Sequence, residues 1–189
     1  MTGRPAAQAE TAVRAADRRE AEIALITGFL EVFDGNVTEL LGSLAGAPLD
    51  ISRISQETAA PADRGVLAET RSPVLRRDVL LSCGSVPMVR ARSWIDLAQL
   101  PPPVRDALSR GGQPIGRVMR QHRVEVARET LLCRVLPGAL SGGRRGADAP
   151  LIERKTSVWH GGRPAMEINE IFTESVLGLL RPALPPRTP

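Results

Sequence analysis

VLRRDVLLSCG, residues 74–84, is the stretch on which the fold turns. Its Val and Leu content, bounded by Pro73 and Gly84, predicts a strand, and successive side chains of a strand point to opposite faces. Arg76, Asp78 and Ser82 then share one face, while Arg77 lies on the other with Leu75, Val79, Leu81 and Cys83. An uncompensated buried ion costs several kcal/mol even after relaxation, so an arginine among core residues needs a partner or a ligand.

Working outward, Gly84-Ser85 is a turn and VPMVRARSWI (86–95) a second strand, which together make a hairpin. Upstream, Leu49 and Ile51 open an alternating stretch that reads as an edge strand to about Gln56. Before that, Ile23, Ile26, Phe29, Leu30 and Phe33 recur at helical spacing, and the run stops at Asp34-Gly35-Asn36. Thr38 is placed to cap a second short helix carrying Leu40, Leu41 and Leu44, which ends near Gly46.

Downstream, LAQLPPPVRDALSR (97–110) is a proline-broken connection into a short helix closed by Gly111-Gly112. QPIGRVMRQH (113–122) is a further helical turn with Pro114 near its start. Val124 to Leu136 predicts a strand, and 140–150 a Gly-rich loop in which Arg144-Arg145 is solvated. IERKTSVWH (152–160) and PAMEINEIF (164–172) flank the Gly161-Gly162 turn as a second hairpin. The sum is an α+β domain: a single mostly antiparallel sheet with helices on one face. Residues 1–21 are expected to form a flexible N-terminal tail, 22–180 the domain, and 181–189, with four prolines, a disordered tail.

Composition narrows the function classes. A chain of 189 residues with 42% hydrophobic content suits one core, which at this length buries roughly 70% of the unfolded surface. Three Phe, two Trp and no Tyr leave little for stacking-based recognition of single-stranded nucleic acid. The formal charge of +4 is carried by arginine, Lys155 being the only lysine, and attracts anions in general. Cys83 and Cys133 come without CxxC or His-rich spacing; they read as small core hydrophobes rather than a disulfide framework or zinc site. His122 and His160 lie far apart with no metal-ligand pattern. With neither a signal-type apolar segment nor a run long enough to span a bilayer, the expected location is the cytoplasm, away from membranes.

PAMEINEIF repeats the anomaly of the opening stretch. Met166, Ile168, Glu170 and Phe172 share one face, so Glu170 also stands among apolar residues. Two arrangements satisfy both charges. Arg77 and Glu170 pair with each other across the sheet, or they line a cavity for a small anion with a polar group at its far end. Arg90 and Arg92 share a face with Met88 and Trp94 and are placed to cover a solvated surface with their stems.

With DGNVTELL (34–41), VLRRDVLL (74–81), LSRGGQPIGRVM (108–119) and HGGRPAMEINEIF (160–172) in order, residues 22–178 resemble the chorismate lyase family, nearest its actinobacterial type. The resemblance implies cofactor-free conversion of chorismate to 4-hydroxybenzoate and pyruvate. It also implies Arg77 as the anchor for the ring carboxylate, Glu170 as the group that meets the ring hydroxyl, and backbone contacts at Val37 and Ile115. Arg128 or Arg92 is a candidate for the second carboxylate of the substrate, on the surplus of strand arginines. The 139–150 loop and the Pro101–Pro103 run depart from the family in character. The same superfamily includes non-catalytic effector domains of transcription repressors. Those follow a helix-turn-helix module, for which the roughly 20 polar residues before the first credible helix are too few. A lyase for a related chorismate derivative is the remaining alternative.

Overall fold

The computed structural model describes residues 4–59, 67–68, 70–139 and 146–180. Five α-helices and one six-stranded antiparallel sheet account for most of them: α1 Arg4–Val32, α2 Val37–Ala45, β1 Asp50–Ala59, β2 Val74–Cys83, β3 Val86–Ile95, α3 Pro102–Arg110, α4 Ile115–Gln121, β4 Ala127–Val135, β5 Pro150–His160, β6 Arg163–Thr173 and α5 Ser175–Leu180. The sheet order is β1-β2-β3-β6-β5-β4. Both expected hairpins form, and β3 joins β6 to fuse them into one sheet.

Strand parity sorts the two faces. Leu75 and Leu81 of β2, Val89 and Ile95 of β3, Ile152 and Val158 of β5, and Met166 and Phe172 of β6 all point inward and are buried. They meet the helices in two clusters. Ile23, Ile26 and Leu30 of α1, Val37 and Leu41 of α2, and Val176 and Leu177 of α5 pack on the Leu81–Val89–Phe172 side. Val104 and Leu108 of α3 and Val118 and Met119 of α4 pack on the Leu75–Ile95–Met166 side. The opposite face carries cross-strand ion pairs, including Arg76–Glu57, Arg92–Asp78, Arg134–Glu153 and Lys155–Glu167.

Three local expectations change. The first helix begins at Arg4, not near Glu22: Ala, Arg and Glu are strong helix formers, and Arg19 anchors this stretch by bonding both oxygens of Glu174 and the Ala139 carbonyl. The cap of α2 is Asn36, not Thr38; its side chain accepts from the Thr38 amide at 3.2 Å. Cys83 and Cys133 are half-buried free thiols at the margin of the first cluster rather than inside it. The Cys133 thiol donates to the Thr27 carbonyl, and burial pushes its pKa up. Arg144-Arg145 and the 181–189 tail lie outside the described residues. No helix among the described residues is long and apolar enough to cross a membrane.

Candidate active site

The strand register lays the inner face out in transverse rows. Leu75, Ile95, Met166 and Val158 form an apolar row at one margin, and Leu81, Val89, Phe172 and Ile152 form another, three rows further on. Between them run Arg77, Ser93, Ile168 and Thr156, then Val79, Ala91, Glu170 and Arg154. A polar band is therefore held between two apolar clusters. Asn36, Val37 and Thr38 at the start of α2, and Pro114, Ile115 and Gly116 at the start of α4, complete the wall. The cavity, partly open to solvent, measures about 70 Å³, room for several water-sized spheres.

Arg77 is 1% exposed. Its Nη2 donates to the Gln113 carbonyl at 2.5 Å, while Nε and Nη1 have no partner among the described residues. Burial lowers its pKa, with no opposing carboxylate contribution. Buried donors of a charged group are rarely left unmade, since each lost bond costs about 1–3 kcal/mol or more. No carboxylate among the described residues pairs with Arg77.

Glu170, 14% exposed, sits two strands away, roughly 10 Å across the sheet at the usual strand spacing of about 4.8 Å. Its neighbour is Arg154, directly opposite on β5, with Nη1 at 3.8 Å from Oε2. Desolvation raises the Glu170 pKa; Arg154 and Arg128 pull against it. Arg154 is itself 1% exposed, donates through Nη2 to the Phe33 carbonyl, and leaves Nε without a partner. The buried Thr156 hydroxyl is also unpartnered. Half-buried Arg128, on edge strand β4, also lines the cavity, in register with Val158 of the Leu75–Met166 row. Burial is the main influence on its pKa and lowers it, against a smaller upward pull from Glu170.

Residues 32–179 match the family model described as chorismate pyruvate-lyase Rv2949c-like. The chain belongs to this family. The matched span contains every residue that lines the cavity. Among solved structures, PhnF from Mycobacterium smegmatis is similar in fold, with a TM-score of 0.50 and 15% identity over 76% of this chain and 66% of that one. The chain therefore spans just under two thirds of that regulator. The separate effector domain of PhnF matches at a TM-score of 0.49 and 16% identity, over 75% of this chain and 90% of that one. At such identities the likeness concerns fold alone. No curated protein matches the sequence.

Within this chorismate pyruvate-lyase-like chain, the cavity brings together Arg77, Glu170, Val37 and Ile115, the four candidates from sequence. The cross-sheet pairing of Arg77 with Glu170 does not occur. Arg154 takes that place because it faces Glu170 on the adjacent strand, whereas two strand spacings separate Arg77 from it. Arg92 is also removed as a cavity residue: it lies on the opposite face and bonds Asp78 at 2.5 Å. Arg154 and Thr156 escaped the sequence analysis. Parity counted back from Val158 places Thr156, Arg154 and Ile152 on its face, but the unbroken run Glu153-Arg154-Lys155 hides the alternation.

Proposed function

We propose that the chain is a chorismate pyruvate-lyase that forms 4-hydroxybenzoate and pyruvate without a cofactor. The observation that carries this is Arg77, a fully buried guanidinium with two nitrogens unpartnered among the described residues, facing a cavity that has a carboxylate across from it. Arg77 binds the ring carboxylate in bidentate fashion, and Glu170 accepts from the hydroxyl on the opposite side of the ring. Val37 and Ile115 open α2 and α4, where each residue's own amide has no intrahelical acceptor and is available to a substrate oxygen.

In chorismate the carbon bearing the hydroxyl keeps a hydrogen, and the adjacent carbon bears the enolpyruvyl ether. The C–H bond and the neighbouring C–O bond break, and the C–H electron pair becomes the new ring double bond. The ether oxygen leaves with its electron pair, and enolpyruvate gains a proton at its methylene carbon to give pyruvate. Aromatisation drives the reaction, so holding the reactive geometry is the larger contribution of the protein. Glu170 carries a raised pKa, which makes its carboxylate a stronger proton acceptor than an exposed one. Glu170→Gln is nevertheless expected to cost less than the roughly 10²–10⁴-fold that loss of an obligatory base brings. A larger loss of single-turnover rate would make Glu170 the base.

A second reading, a ligand-binding domain without catalysis, draws on the likeness to the PhnF chain, which concerns fold alone. The test is to incubate purified protein with chorismate, following 4-hydroxybenzoate by chromatography and pyruvate by a coupled assay. Equimolar products support the lyase. Saturable binding of chorismate without products supports the binding domain.

A further inference from the structure

We infer that Arg128, backed by Arg154, forms a second anion socket that receives the carboxylate of the departing enolpyruvyl group. The orientation of the ring rests on the lyase reading above. With the ring carboxylate on Arg77 and the hydroxyl on Glu170, the ether belongs to the carbon next to the hydroxyl. Its carboxylate must then fall beside Glu170.

Two cations line the cavity on that side of the sheet. Arg154 faces Glu170 on β5, and Arg128 stands one strand further out on β4, in register with Val158. Both line the cavity. Arg154 keeps an unpartnered, buried Nε. Arg128 makes no hydrogen bond and no ion pair with the described residues, so its fork is uncommitted. An arginine fork suits a carboxylate bidentately, which a lysine in its place would not reproduce.

Charge balance points the same way. Three arginines and one glutamate are the charged residues that line the cavity, leaving a surplus of two positive charges. Chorismate is a dianion and matches that surplus. A ligand with the ring carboxylate alone would leave one cation in a desolvated site without a counter-charge, at a cost that its pairing would otherwise offset. The socket thus selects for a ring that bears a second carboxylate beside its hydroxyl. Once the C–O bond breaks, 4-hydroxybenzoate keeps a single carboxylate and no longer engages it.

The test compares two stable aromatic probes, 4-hydroxybenzoate and 3-(carboxymethoxy)-4-hydroxybenzoate, by calorimetric titration of the full chain and of Arg128→Gln. Chorismate turnover by the unaltered chain is measured separately. The dianion should bind the unaltered chain at least tenfold more tightly than the monoanion. Arg128→Gln should remove most of that preference while changing 4-hydroxybenzoate affinity less than threefold. A preference that survives Arg128→Gln, or an equal loss for both probes, overturns the socket and leaves the lyase standing if chorismate is turned over. A preference that depends on Arg128 without any turnover overturns the lyase and leaves the socket. Failure of both probes to bind the unaltered chain overturns the socket, and an absence of chorismate turnover alongside it overturns the lyase as well.

Discussion

Arg77 is legible in the sequence because a two-residue period leaves it nowhere else to point. What the period could not supply is its partner, since parity assigns a face but not a neighbour across the sheet. The resulting isolated cation has a measurable consequence. A long apolar side chain in its place relieves the desolvation cost, so Arg77→Met should leave Tm unchanged or raise it by a few degrees, the scale of about 1 kcal/mol in a chain of this size. A fall of ten degrees or more in a melting experiment would contradict that account. Glu170 predicts a pH signature. Its folded pKa lies above its unfolded value, so the folded state holds the proton more tightly and loses stability as pH rises between the two. Measured from about pH 4 upward, where an ordinary glutamate deprotonates, the unaltered chain should lose Tm relative to Glu170→Gln. A pH-independent difference between the two would show that burial does not govern this carboxylate.

At the scale of elements, helices and hairpins follow from periodicity and turns, whereas the caps and the first helix do not. Thr38 and Asn36 are both good cap residues two positions apart, and only the backbone conformation separates them: Asn36 is extended with its carbonyl already inside the first turn. The length of α1 was obscured because a run of Ala, Arg and Glu lacks the apolar stripe that marks packing, although its propensity is high. Arg19 supplies the missing tertiary tie, and Arg19→Ala should lower Tm by about 2–8 °C, equivalent to 1–2 kcal/mol for a charge-assisted bond. An unchanged melting curve would show that the tie is energetically silent. The roof over the cavity depends on Gly116. A Cβ there would overlap the Asn36 carboxamide, which cannot step aside without releasing the α2 cap. Gly116→Ala should therefore loosen the α2–α4 seam and speed 4-hydroxybenzoate dissociation in a stopped-flow experiment; an unaltered off-rate would mean that the seam does not control release.

For the molecule as a whole, the sheet-and-helix layers were readable from the sequence, but the joining of the hairpins through β3 and β6 was not, because pairing between distant strands leaves no local mark. That junction is what sets Arg77 and Glu170 on one surface two strands apart, with Arg154 and Arg128 beyond. The overall charge of +4 favours approach of anions in general. The central claim is that this cavity holds chorismate by Arg77 and turns it over. It is tested most directly by following 4-hydroxybenzoate and pyruvate from chorismate with the unaltered chain and Arg77→Met side by side, after melting curves establish that both are folded. The account predicts equimolar products from the first and a loss of at least about 10³-fold in kcat/KM from the second, roughly the 4 kcal/mol of one desolvated, bidentate charge pair. Comparable turnover by a folded Arg77→Met variant would contradict it.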